Sequence, residues 1–205
     1  MTHLLVTLDV ECDKSPSWRS QDPLSFRAVT DAIPNLLQPL FRRFGVRPTY
    51  LLSPEVIADA ACVETLRGLS DVELGTHLHG EYIGPDPQFD TVAGSLTWAM
   101  QGDYSPEVER AKLARLTERF AQQFGYAPTS FRAGRFGIGP DTGRWLFELG
   151  YRVDSSVIPH VCLRNPEGIE RPDFRHCPEL PYFAGPHHDL FTAGGSMLLE
   201  VPVTI

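Results

Sequence analysis

The four cysteines, Cys12, Cys62, Cys162 and Cys177, include no CxxC pair, so neither a zinc-finger framework nor a redox dithiol is encoded. Their spacing also does not suit a small disulfide scaffold, and the expectation is reduced thiols in a cytoplasmic protein. No run of about 18 apolar residues occurs, so no membrane helix is expected. The opening MTHLLVTLDVECD has no basic segment leading into a long apolar one, so no signal peptide is expected either. Positive charge is scarce: 18 Lys and Arg stand against 26 Asp and Glu, a net charge of −8. A nucleic-acid or anionic-membrane partner calls for a basic surface and is not expected. There is no internal repeat and no low-complexity tract. No glycine-rich loop follows the first apolar run, which disfavours a dinucleotide fold.

What is present is an alternation of short apolar runs and longer amphipathic ones. Leu4 to Val10, Arg47 to Leu52, Val72 to Thr76, Thr129 to Arg132, Tyr151 to Asp154 and Met197 to Val203 read as strands. Leu24 to Phe44 has helical periodicity, with Pro34 and Pro39 expected to kink or split it and Gly45 to cap it. Ser53-Pro54-Glu55 reads as a helix start. Ser105 to Phe124 and Pro140 to Leu149 read as further helices. Gly80 to Asp103 reads as one long loop, of the kind that is usually functional, and Pro159 to Ser196 as irregular chain. Strands alternating with helices imply crossover units and a mainly parallel sheet, hence an α/β barrel or an open doubly wound sheet in a single domain over 1–205.

The positions of the polar residues carry the functional signal. Parallel strands bring their C-terminal ends to one rim, which holds the active site in such folds. Asp9 and Glu11 end the first strand, His77 and His79 follow the third, Arg132 ends the fourth and Asp154 the fifth. Residues two apart in extended chain point the same way, so Asp9 shares a side with Glu11, and His77 with His79. Two imidazoles with one or two carboxylates suit zinc or another first-row divalent ion. Arg132 beside Asp9 would keep that carboxylate ionised, as a general base requires. Glu81 competes with His79 for the last ligand position. His3, His160, His176, His187 and His188 are weaker candidates. Trp18 and Trp98, in or beside overhanging loops, could stack on a sugar ring. Cys12, between the site residues, is expected to be a bystander.

Four segments resemble the polysaccharide deacetylase superfamily (NodB-like, carbohydrate esterase family four). They are TLDVECD (Thr7 to Asp13), RPTYLLSPEVI (Arg47 to Ile57), ELGTHLHGE (Glu73 to Glu81) and SFRAGRFGIGPDTGRWLFELGYRVDSS (Ser130 to Ser156), with an echo at LLEVPVT (Leu198 to Thr204). The resemblance implies a distorted (β/α) barrel of six to seven mainly parallel strands. It also implies metal-dependent removal of an acetyl group from an N- or O-acetylated sugar. Carried over, Asp9 matches the catalytic base, Glu11 the acidic ligand and His77 the first ligand histidine. Arg132 matches the arginine that orients the base, and Asp154 the supporting aspartate. The chain departs from the pattern in two places. The family's second histidine lies four residues after the first, where this chain has Glu81, so His79 takes its place. The family's histidine acid has no counterpart, and the chain is expected to lack the closing strand or strands of the barrel.

The resulting expectation is a hydrolase of carbon–nitrogen non-peptide bonds using a divalent metal, zinc first, on a carbohydrate. Two alternatives stand beside it. One is hydrolysis of a small non-peptide amide on the same fold. The other is a non-catalytic carbohydrate-binding protein.

Overall fold

Parallel strands buried on both faces must be apolar nearly throughout, and the runs read from the sequence form such strands. The computed structural model describes residues 4–17, 19–85, 100–163 and 171–203. Its strands are β1 (Thr7–Val10), β2 (Thr49–Leu52), β3 (Glu73–Leu78), β4 (Ser130–Ala133), β5 (Val153–Asp154), β6 (Tyr182–Phe183) and β7 (Leu199–Glu200). They form one sheet in the order β1-β2-β3-β4-β5-β7-β6. Every pairing is parallel except that of β6 with β7. Met197 to Val203 thus contributes only a two-residue strand, and β6 lies inside the stretch read as irregular. Strand β3 runs to Leu78, so His77 sits within the strand rather than just after it.

Helices cover the outer face of the sheet. They are α1 (Gln38–Arg43), α2 (Pro54–Ala58), α3 (Ala60–Arg67), α4 (Pro106–Phe124) and α5 (Thr142–Glu148). Val56, Ile57, Cys62, Leu66, Leu113, Leu116 and Phe120 join Tyr50, Leu52, Leu74 and Phe131 in one core. Helix α4 has the expected ends: Ser105 Oγ accepts from Val108 N, Pro106 opens the first turn, and Gly125 closes it at φ +81.

The Pro-containing segment is helical without a gap but changes its winding. Ala28–Leu37 winds as a π-helix and passes directly into α1. Gln38 N–H reaches back five residues to Ile33 O. Pro34 has no N–H to donate, and the wider winding clears its ring from the carbonyl four residues earlier. The start of this helix is held by Asp13, whose Oδ2 accepts from Arg27 N at 2.8 Å and Oδ1 from Ala28 N at 2.9 Å.

The sheet is strongly curled. Strands β1 and β4 are three strand spacings apart, roughly 14 Å in a flat sheet. Yet Arg132 of β4 donates from Nη1 to Asp9 Oδ1 at 2.8 Å and from Nη2 to Thr7 Oγ1 at 2.7 Å. Only a barrel-like curl lets one side chain span that distance. Among the described residues no helix is long and apolar enough to cross a membrane, and all four cysteines are free.

Candidate metal centre

Register places the polar residues. Asp9 pairs with Leu51 and Leu51 with Gly75, so Asp9 and His77, two residues beyond Gly75, face the same side of the sheet. His77 is itself the partner of Arg132. The inner face at the C-terminal rim thus collects Asp9, Glu11, His77 and Arg132, and His79 follows on the same side.

Glu11, His77 and His79 form a convergent donor set, with one ligand atom from each all within 4.8 Å of one another. Glu11 Oε1 lies 3.4 Å from His77 Nε2 and 3.2 Å from His79 Nε2. Ligand bonds of about 2.0–2.1 Å in a tetrahedron put neighbouring donor atoms roughly 3.3 Å apart. The set therefore fits a small divalent ion and leaves a fourth position open.

The hydrogen bonds behind the imidazoles agree. His77 Nδ1 is 3.0 Å from the carbonyl oxygen of Arg132. A carbonyl only accepts, so Nδ1 carries the proton and the Nε2 lone pair faces Glu11. His79 Nδ1 is 3.2 Å from Glu81 Oε1, which leaves His79 Nε2 turned toward Glu11. Both histidines are buried, so their ring positions are fixed by packing as well.

The carboxylates and imidazoles of the site favour each other's charged forms. Burial works against ionisation of Glu11, but hydrogen bonds to His77 and His79 outweigh it and hold the carboxyl far below the usual range. Burial likewise opposes a charged His79, yet its bonds to Glu11 and Glu81 raise it to about 9. Glu81 is lowered to about 2 against its burial, by His79 and by Arg135.

Glu81 is therefore placed behind His79, not in the donor set. It accepts from His79 on one side and from Arg135 Nη2 at 2.7 Å on the other. Arg135 and Phe136 both adopt φ of +54, a left-handed backbone that costs a non-glycine residue about 1–3 kcal/mol. That turn brings the guanidinium to Glu81. Gly134 precedes it, and a Cβ there would lie 2.6 Å from Leu78 O and 3.1 Å from the His79 ring. Only glycine lets β4 end this close to His79.

Asp9 has the surroundings of a base. Its Oδ1 accepts from Arg132 at 2.8 Å and lies 3.9 Å from His77 Nδ1. It borders an open pocket of about 850 Å³, lined also by Glu11, Asp13, Lys14, Arg27 and Asp31. Four acids against two bases make this wall suited to neutral or amine-bearing ligands. Lys14 Nζ sits 3.2 Å from Glu11 Oε2 and within hydrogen-bonding distance of Cys12 Sγ and Ser20 Oγ. Cys12 in turn has its N–H bound by Glu55 Oε1 at 3.1 Å, which fixes the chain just after Glu11. Glu55 reads in the sequence only as part of a helix start, since its bond to Cys12 spans 43 residues.

Asp154 is not brought to this group. Its register partner is Phe131, so it faces away from Arg132, fully buried, with Ser156 and Glu200. His160 pairs with exposed Glu179, His188 stacks on Phe147, and His176 and His187 are exposed. None of the four belongs to the donor set found among the described residues. His3, Trp18 and Trp98 lie outside the described residues.

No family model matches the sequence, and no curated protein matches it. Several solved structures are similar to it, among them two that align over most of this chain. One is a protein of Mycobacterium smegmatis assigned as a polysaccharide deacetylase, with 18% identity and a TM-score of 0.54. The alignment covers 98% of this chain and 58% of that one. The chain has the polysaccharide deacetylase fold. The other is Puue allantoinase, with 17% identity and a TM-score of 0.55, covering 88% of this chain and 46% of that one. This chain thus spans about half the length of either structure.

Proposed function

We propose that the protein is a metal-dependent hydrolase that removes an acetyl group from an N- or O-acetylated sugar. The observation that carries this reading is the convergence of Glu11 Oε1, His77 Nε2 and His79 Nε2 beside the Asp9–Arg132 pair, on the rim of a deacetylase fold. Glu11, His77 and His79 would hold a divalent ion, zinc first by donor chemistry. Bound there, such an ion would supply Lewis acidity, polarising a carbonyl and lowering the pKa of water.

The remaining chemistry belongs to the chain. Asp9, held in place by Arg132, takes the proton from the attacking water. Arg132 is held at Nε and Nη2 by Ser155, so Asp9 cannot swing away from the pocket without losing its partner. His77 cannot serve as the base through Nδ1, because that nitrogen already donates to Arg132 O. The pocket is wide enough for a sugar ring rather than an acetyl group alone.

A small non-peptide amide is the second reading. It is favoured by the equal likeness to an allantoinase, an enzyme named for a cyclic amide. Product analysis on acetylated sugar oligomers against small cyclic amides separates the two. Metal content of purified His77→Ala tests the centre itself. Loss of both metal and turnover is expected, and full metal stoichiometry in that variant would overturn the assignment.

A further inference from the structure

Two carboxyl groups lie side by side behind the site, on the sheet face opposite Arg132. Asp154 of β5 and Glu200 of β7 are register partners, and both are completely buried. Parallel partners point the same way, so the side chains meet, and the two carboxyls hydrogen-bond each other. Two carboxylates in contact cannot both ionise. The other hydrogen bonds locate the proton. Asp154 uses both oxygens as acceptors, Oδ1 from Ser156 Oγ at 2.7 Å and Oδ2 from Ser156 N at 3.2 Å. Glu200 Oε1 accepts from Val157 N at 3.1 Å, whereas Glu200 Oε2 is buried and receives no donor among the described residues. That atom is therefore the one left to carry a proton between the two groups.

The segment these groups bind is the one that holds Arg132. Ser156 Oγ, while donating to Asp154, accepts from Ala133 N at 2.9 Å, the residue after Arg132. Ser155, between the bound residues, offers its carbonyl oxygen to Arg132 Nε and its hydroxyl oxygen to Nη2, both at 2.8 Å. Its own hydroxyl donates to Val201 O, just past Glu200.

We propose that Asp154 and Glu200 share a single proton and act as a positioning pair, fixing Ser155–Val157 so that Ser155 holds Arg132 toward Asp9. Burial raises both groups, Glu200 well above the usual carboxylate range, with the charge of Asp154 adding to it. The other titratable groups near them are Arg132, whose charge acts on the pair from the opposite face of the sheet, and Tyr182, the register partner of Glu200 on β6. Tyr182 donates to Leu190 O, and its phenol is pushed up by burial and by Glu200, so it stays neutral.

The functional part of this inference rests on Asp9 and Arg132 acting as proposed above, so the test has two arms. The first needs no activity. In Glu200→Gln the amide donates to Asp154 in place of the acid hydroxyl and still accepts from Val157. The variant should fold and should lose the Glu200 component of the infrared carbonyl band, read in the wild-type-minus-variant difference spectrum so that Glu109, also a buried raised acid, cancels. Stability of the wild type should fall as pH rises above the ordinary carboxylate range, because the folded state then holds a proton that the unfolded state has released. Glu200→Gln should flatten that slope. A difference spectrum without that component, or an unchanged slope, overturns the shared proton. The second arm compares turnover. Glu200→Leu leaves Val157 N and Asp154 unsupported and should lower kcat about 10²-fold with KM unchanged, while Glu200→Gln keeps wild-type kcat. Equal kcat in both variants overturns the positioning role. A wild type with no turnover would instead count against the proposed reaction, leaving the infrared arm to decide the pair.

Discussion

Arg132 Nη1 lies 2.8 Å from Asp9 Oδ1, although two whole strands separate their backbones. The guanidinium also binds Thr7 Oγ1 and both oxygens of Ser155, so four acceptors fix its plane. It is 4% exposed, which makes its partners its solvent.

A lysine cannot reproduce that fork, since an ammonium is a point charge on a flexible stem. Arg132→Lys should therefore keep the charge but misplace Asp9, lowering kcat by about 10²-fold. Asp9→Asn removes the proposed base and should cost about 10²–10⁴-fold. Steady-state deacetylation assays on both variants check this. Wild-type turnover in either would remove the pair from the mechanism.

On the proposed reading, Glu81 would act on a bound metal through His79. Glu81→Gln keeps the shape but can no longer offer a full negative charge to His79 Nδ1 and Arg135 together. Loss of such an outer partner typically weakens metal affinity about 10–100-fold. Competition titration with a chelating dye measures it, and unchanged affinity would place Glu81 outside the metal's influence.

Lys112 is the structural counterpart on α4. It is completely buried, and its ammonium donates to the carbonyls of Gly80, Ile83 and Pro85 at 2.6–2.8 Å and lies 4.7 Å from the Tyr104 ring centre. Lys112→Met fills the space but leaves those carbonyls without that donor. Gly80 O keeps Ile83 N as a donor, so at about 1–3 kcal/mol for each buried group left unsatisfied the loss should be about 2 kcal/mol or more in urea unfolding. Because the carbonyls belong to the chain just after His79, metal affinity should fall in the same variant.

Glu109 gives a pH prediction away from the centre. Burial raises its carboxyl, although Thr142 and Gln101 donate to it. A raised acid holds its proton in the folded state where the unfolded chain has lost it, so its contribution is complete at low pH and declines as pH rises through the folded value. Glu109→Gln should therefore gain stability relative to wild type at neutral pH and show no gain in acid. Thermal melts across that range test it, and a constant difference between the two proteins would contradict it.

Asp9, Glu11, His77, His79 and Arg132 were legible because strand periodicity and parallel topology suffice to put strand ends on one rim. The choice between His79 and Glu81 was not. It depends on the left-handed turn at Arg135 and Phe136, for which bulky residues give no signal. Asp154 reads as a rim residue in a fifth strand, but the register against Phe131 turns it to the other face. Glu200 reads only as a polar interruption in an apolar run, since its partner is set by the pairing of β5 with β7. Lys112 looks like an ordinary cation between Ala111 and Leu113. Its burial comes from the Gly80–Pro85 chain folding over it, which no local pattern announces. Asp13 reaches a helix start fourteen residues on, too far for a capping pattern to be recognised.

The strictly sequential order of β1 to β5 also sets a timetable. Glu11, His77 and His79 are supplied by the first three strands, whereas Arg132 closes a loop over more than half the chain. Contacts at such separation form late, because loop-closure entropy is spent before they contribute. The donor set can thus gather while Asp9 still lacks its cation, and the Asp9–Arg132 pair becomes one of the last contacts the folding chain acquires.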